Sequence, residues 1–203
     1  CSGGHYCPSS GMIAPGPNCS AGYYCTIGAN TSSPRDNVTG NVCPAGYYCP
    51  VGTQVPKACP AGTYNPLQQQ YNPQSCLSCP AGQYCPNSSM TTPTLNCSAG
   101  YYCPPGQSVG NPSSYICPRG FFCIGGSKLP VRCPAGTYQD VTGMSTCKTC
   151  PAGYYCDPTN LCPSTNYTTP TTCPAGSYCL AGTHFPEEYL CPPGTYNPST
   201  GLY

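Results

Sequence analysis

Cysteine is the residue type in this chain with chemistry to perform: 22 of 203 residues, at spacings that recur. Two pairs, Cys76-Leu-Ser-Cys79 and Cys147-Lys-Thr-Cys150, have the Cys-x-x-Cys spacing of zinc ligands and of redox dithiols. A structural zinc takes four ligands, which two such pairs can supply. A redox dithiol opens a helix that lowers one thiol's pKa, and no helix is expected here. The other eighteen cysteines fall into a framework, and His5 and His184 are the only histidines. For hydrolysis the chain offers Glu187-Glu188, adjacent and following Pro186, and His184 in Thr-His-Phe-Pro. These read as a solvated turn and a surface side chain, and they form no nucleophile–base pair. Disulfide formation is the chemistry left. The chain is expected not to be an enzyme, to hold no metal, and to carry no cofactor beyond covalent glycans.

The element that positions the cysteines is a short repeat, best seen in Cys43-Pro-Ala-Gly-Tyr-Tyr-Cys49. Its frame is Cys-x-x-Gly-x-Tyr, usually closed by a second Cys. Copies start at Cys1, Cys19, Cys43, Cys59, Cys79, Cys97, Cys117, Cys133, Cys150, Cys173 and Cys191, with a degenerate copy at Cys162. A period this short denotes an array of small units. Pro presets φ and Gly supplies the positive φ that a side chain resists, so the frame encodes a turn. The residue after the Gly varies (His5, Tyr23, Gln83, Phe121, Ser177) while the next is aromatic (Tyr6, Tyr24, Tyr84, Phe122, Tyr178). The variable position is therefore expected to face solvent, and the aromatic to pack on a neighbouring disulfide. Twelve cysteines open a copy, and Cys7, Cys25, Cys49, Cys85, Cys103, Cys123, Cys156 and Cys179 close one. Cys76 and Cys147 precede an opening cysteine by three residues.

Composition excludes an ordinary core. Leu, Ile, Val and Phe together number 22, while 28 Pro and 24 Gly resist helix and central strand. Disulfides are the substitute, and they imply an oxidising, extracellular compartment. Each bridge closing a loop of this size contributes about 2–3 kcal/mol in the chain-entropy model. The expected fold is a set of small disulfide-rich repeats in an elongated linear array, with short irregular β-hairpins and almost no helix. Six Lys and Arg against five Asp and Glu leave no basic patch to neutralise phosphates, which argues against nucleic acid. No apolar run approaches the roughly 20 residues of a membrane span.

The copies group into four stretches. Residues 1–58 hold three closed copies. Residues 59–132 begin with an open copy, Cys-Pro-Ala-Gly-Thr-Tyr without its closing Cys, and continue with closed ones. Residues 133–190 repeat that order, and residues 191–203 begin a third open copy. The expectation is a window on a longer repetitive polypeptide, with Cys191 paired beyond residue 203. The alternative is a bond between Cys179 and Cys191.

Six Asn-x-Ser/Thr sequons, at Asn18, Asn30, Asn37, Asn87, Asn96 and Asn166, are candidate N-glycosylation sites on surface loops. The Thr-Pro stretches at residues 91–94 and 168–172 have the composition of O-glycosylated segments. With so little charge, polar residues and glycans must keep the surface hydrated. Nineteen Tyr and no Trp supply rings for packing on Pro, sugars or a neighbouring subunit.

Cys-Pro-x-Gly-Thr-Tyr…Cys-x-x-Cys-Pro-x-Gly-x-Tyr, carried best by residues 59–85 and 133–156, resembles the ephrin-receptor-like cysteine-rich repeat, a relative in style of TNF-receptor and laminin-type EGF modules. The resemblance implies bonds Cys59–Cys76 and Cys133–Cys147. Runs of Cys-Pro-Ala-Gly-Tyr-Tyr-Cys look most like surface proteins of protists and algae, including mastigoneme (flagellar hair) proteins. That implies an extracellular structural glycoprotein, a segment of a filament or coat, whose partners are further copies, other coat proteins and glycans. A cysteine-rich receptor or adhesin stalk is the alternative. Its ligand site would be the atypical copy around Arg119, Phe121, Phe122, Lys128 and Arg132.

Overall fold

The structure, a computed structural model, describes residues 1–157 and 168–203. The degenerate copy at Cys162 and the sequon at Asn166 lie outside the described residues. The chain divides into two compact units: Cys1–Leu95 with Pro105–Val109, and Asn96–Pro104 with Gly110–Tyr203.

Each copy is a turn followed by half a hairpin. All eleven frame glycines have φ between 74° and 86°, the left-handed region a Cβ disfavours. The turn brings the amide after the glycine onto the carbonyl of the residue that follows the opening Cys, as in Tyr47 N–H to Pro44 O at 3.3 Å. The chain then extends into a strand. In the first unit β1 (Tyr23–Cys25) pairs with β2 (Gly40–Val42), β3 (Tyr47–Tyr48) with β4 (Lys57–Ala58), and β5 (Thr63–Tyr64) with β6 (Leu77–Ser78). The hairpin of β7 (Gln83–Tyr84) and β8 (Leu95–Asn96) follows. In the second unit β9 (Phe121–Phe122) pairs with β10 (Val131–Arg132), β11 (Thr137–Tyr138) with β12 (Lys148–Thr149), and β13 (Tyr154–Tyr155) with β14 (Thr171–Thr172). The pairs other than β7 with β8 are antiparallel by register. The described helix is two single 3-10 turns, Pro73–Ser75 and Ser113–Tyr115.

Ten disulfides staple these copies. Eight close a Cys-x5-Cys frame: Cys1–Cys7, Cys19–Cys25, Cys43–Cys49, Cys79–Cys85, Cys97–Cys103, Cys117–Cys123, Cys150–Cys156 and Cys173–Cys179. The core is made of these cystines, most of them fully buried, with Tyr23, Ala29, Pro34 and Pro112 among the described buried apolar residues beside them. Exposed Ile, Leu and Val side chains lie outside it, so burial here comes from sulfur and backbone.

No bridge of the frame joins one copy to the next; backbone hydrogen bonds do. In the first unit Gly22 N–H donates to Cys49 O, Cys25 N–H to Thr53 O, Gly52 N–H to Cys19 O and Cys43 N–H to Gly22 O, all at 2.8–2.9 Å. The second unit repeats the set: Gly153 to Cys179, Cys156 to Thr183, Gly182 to Cys150 and Cys173 to Gly153, at 2.8–3.0 Å. The copy at Cys150 therefore bonds directly onto the copy at Cys173.

The expected division between a solvent-facing variable position and a packed aromatic does not hold. The fixed aromatics Tyr24, Tyr48, Tyr64, Tyr84, Tyr102 and Tyr138 are half-buried. At the variable position Tyr23 and Ser177 are buried and Tyr154 is exposed. At one bridge both positions pack: Tyr23, a variable residue, and Tyr6, a fixed aromatic of the preceding copy, lie against Cys19 and Cys25.

Candidate functional site

The recurrent feature is a junction where three successive copies meet. A turn follows the closing residue of each copy, and one of its residues has positive φ. In most copies this is glycine, but Gln69 (φ 63°) and Ser89 (φ 57°) hold the same place. At one junction Ser89 N–H donates to Cys59 O at 2.8 Å, in the preceding copy. Its own carbonyl lies against Gly46, in the copy before that, where a Cβ would sit 2.2 Å from Ser89 O. Gly182 does the same for Cys150 and Gly136 in the second unit. Within each unit, copies joined this way contact their next neighbour and their next but one, so they are tied more tightly than by nearest-neighbour stacking alone. The junction at Gln69 carries a side-chain clasp: Gln69 Nε2 and Arg35 Nη2 both donate to the Tyr23 hydroxyl, at 3.1 and 2.7 Å. The Arg35 guanidinium lies 5.5 Å from the Tyr23 ring centre.

The open copies solve a different problem. Where the closing Cys would stand, they have Asn65, Gln139 and Asn197, and all three are buried. Each amide makes two bonds, and its donor goes to the preceding copy for Asn65 and Asn197 but to its own copy for Gln139. Asn65 Nδ2 donates to Tyr47 O (2.8 Å), Gln139 Nε2 to Thr146 O (2.7 Å) and Asn197 Nδ2 to Ser177 O (3.1 Å). Their side-chain oxygens accept from the amides two residues on, those of Leu67, Val141 and Ser199. A buried amide, doubly satisfied, replaces half a cystine. Sequence reading passed over these residues, although an amide at the closing position of all three open copies was the available signal.

The freed opening cysteines reach further along the chain. Cys59 bonds Cys76 (Cα–Cα 5.5 Å) and Cys133 bonds Cys147 (5.8 Å). Both Cys-x-x-Cys pairs are consumed, since Cys79 and Cys150 bond to Cys85 and Cys156 within their own frames, so neither supplies free thiolates. Cys179 is bonded to Cys173 and not to Cys191. Cys191 is the unbridged cysteine among the described residues.

Asn18, Asn30, Asn37, Asn87 and Asn96 are all exposed. Asn18 and Asn96 directly precede the buried Cys19 and Cys97. Asn37 has φ 60° and sits in a turn organised by Asp36. That carboxylate accepts from the Thr39 hydroxyl (2.7 Å) and from the amides of Val38 (2.9 Å) and Thr39 (2.8 Å). The Thr39 hydroxyl, helped by these amides, lowers the Asp36 pKa to about 2. Gly40 closes the turn, where a Cβ would meet Tyr24 O at 2.1 Å and the buried Pro34 at 2.5 Å.

Of the candidate partner-binding residues, Arg119, Lys128 and Arg132 are exposed and Phe121 and Phe122 half-buried. Arg132 lies directly opposite Phe121 across the hairpin, its guanidinium 5.9 Å from the ring centre. Lys128 is in the loop joining β9 to β10.

A scan against protein-family models matches none to this chain, and a search of curated proteins matches none. What the chain itself shows is a cysteine-rich repeat protein with ten disulfides among the described residues, fitting a secreted or extracellular setting. No described helix is long and apolar enough to cross a membrane.

Proposed function

We propose that this chain is a structural segment of an extracellular filament or cell-surface coat, similar in kind to mastigoneme proteins. The observation that supports this reading is the division of labour between bond types. Every cystine of the closed frames lies inside one copy, while an unbroken set of backbone hydrogen bonds runs from copy to copy within each unit. Covalent bonds preserve each copy under stress, and the hydrogen bonds between copies can part and re-form without loss of a staple. The three-copy junctions spread load over more than one interface. In this reading the exposed sequons at Asn18, Asn30, Asn37, Asn87 and Asn96 carry glycans that hydrate a surface nearly without charge.

Electron microscopy of the native, unreduced protein tests the proposal. Filaments or a coat with a regular axial repeat, surrounded by non-protein density, are the expected result. Monodisperse single particles at high concentration, with no glycan on intact-mass analysis, would refute it.

A further inference from the structure

Tyrosine is the reactive side chain that the structural reading leaves unused, and two pairs in the second unit are built alike. In the copy at Cys97 the ring centres of Tyr102 and Tyr115 lie 5.4 Å apart, and in the copy at Cys173 those of Tyr178 and Tyr189 lie 5.4 Å apart. Each pair joins the fixed aromatic of its frame to the residue two before the next opening Cys. The backbone ties are the same too: Tyr102 N–H to Tyr115 O and Tyr178 N–H to Tyr189 O, both at 3.0 Å. Other copies put Asn41, Lys57, Leu77, Val131 or Lys148 opposite the fixed ring. We propose that Tyr102–Tyr115 and Tyr178–Tyr189 are sites of oxidative cross-linking, each pair becoming a dityrosine when a peroxidase and hydrogen peroxide act on the folded chain.

These are hairpins that cystine leaves open. In the open copies the return strands β6 and β12 directly follow Cys76 and Cys147, which are bonded to Cys59 and Cys133. In the copies at Cys97 and Cys173 the bridges Cys97–Cys103 and Cys173–Cys179 close before the hairpin loop, so neither reaches the returning segment. Strand pairing there is reduced to a single bridge, Tyr101 with Ile116 and Ser177 with Leu190. A bond between the rings would close each hairpin where no disulfide does.

The chemistry balances with peroxide as the oxidant. Each phenol loses one electron and its proton to give a phenoxyl radical. The two radicals join through a carbon–carbon bond between ring positions ortho to the hydroxyls, and the two displaced ring protons pass to the oxygens. The pair gives up two electrons and two protons in all, and one hydrogen peroxide takes them and becomes two waters. The four rings are half-buried, and a radical on one finds its partner already beside it, an advantage that no second chain has at dilution. At Tyr189 the charge of Glu188, with burial and a hydrogen bond to that carboxylate, pushes the phenol pKa up. The same carboxylate is placed to take the proton as the electron leaves. Competing sinks are few, since the chain has no Trp and three Met. The cystines Cys97–Cys103 and Cys117–Cys123 on either side of the first pair carry no thiol. Near the second pair Cys191 is unbridged and follows Tyr189 by two residues, so it competes there until it is blocked. This inference concerns closure within one chain and does not rest on assembly into a filament.

The test is oxidation of the full, unreduced chain by hydrogen peroxide and a haem peroxidase, at dilution and with free thiols alkylated, followed by peptide mapping of the monomer. Links Tyr102–Tyr115 and Tyr178–Tyr189, each lighter by two hydrogens than its separate peptides, are expected ahead of links from the more exposed Tyr71, Tyr196 and Tyr203. Tyr115→Phe should remove the first link and leave the second, and Tyr189→Phe the reverse. Intact disulfides on unreduced mapping show that the variants fold. The inference is overturned by any of three results. The first is linkage of the exposed tyrosines while these pairs stay unmodified. The second is dityrosine confined to bonds between chains. The third is undiminished dityrosine fluorescence from the monomer of the double variant Tyr115→Phe/Tyr189→Phe.

Discussion

The three-copy junction predicts that two chemically identical substitutions differ in cost. Gly136 and Gly176 occupy the same frame position, with φ 74° and 85°, so alanine at either suffers the same left-handed strain, about 1–2 kcal/mol. Only Gly136 has a copy two places ahead pressed against it. A Cβ there would lie 2.2 Å from Gly182 O and 2.7 Å from His184 Cδ2, while at Gly176 it meets nothing within 4 Å. The obstacle at Gly182 is backbone, which must move, and such overpacking costs about 1–3 kcal/mol more. Hydrogen exchange reads this locally. The amide of Gly182 is bonded to Cys150 O at 2.8 Å, and that of Cys156 to Thr183 O at 3.0 Å. Gly136→Ala should speed exchange at Gly182 and Cys156 roughly 5- to 150-fold beyond any effect of Gly176→Ala, the kinetic equivalent of that energy difference. Equal acceleration by the two variants, or none from Gly136→Ala at Gly182, would refute the contact between next-but-one copies.

Further outcomes follow from other features. Asn65→Ala removes a buried amide and strands Tyr47 O and Leu67 N–H. A loss of about 1–3 kcal/mol is expected in guanidinium unfolding of the unreduced protein, and an unchanged midpoint would show that the amide does not stand in for the cystine. The Asp36 carboxyl has a folded pKa of about 2, below the ordinary value of about 3.9. Its contribution is present above pH 4 and is lost as pH falls through 2. A carbon-detected NMR titration with its midpoint at 4 would contradict the turn around Asn37. In single-molecule stretching with a reductant, cleaving Cys59–Cys76 adds about 50 Å and cleaving Cys43–Cys49 about 15 Å. These lengths are the sequence separations of 17 and 6 at roughly 3.4 Å per residue, less the span each bridge already covers. A single class of step length would contradict this pattern of loops.

Much of the fold was legible before any coordinates. The frame glycine announces its φ, because no other residue tolerates that turn so cheaply, and a chain with so few aliphatic residues has only cystine left to bury. Short hairpins follow, since Pro and Gly interrupt every extended run. The candidate site was less legible. Arg119, Phe121 and Arg132 stood out as departures from the repeat, but the alignment of Arg132 with Phe121 across one hairpin depends on register. Asn65, Gln139 and Asn197 looked like loop residues because polarity suggests exposure; burial made them structural.

The sequence by itself determined local closure. A Cys-x5-Cys frame with Gly at its centre bends back within seven residues whatever surrounds it, because φ preference and loop entropy are properties of the segment. Tertiary structure decided everything that links separate segments. It chose which carbonyl each frame amide meets, made the copy at Cys150 dock on that at Cys173 across the intervening residues, and set Gln69 and Ser89 in a conformation their own propensities oppose. Those choices depend on the packing of three copies at once, and no single copy contains the information.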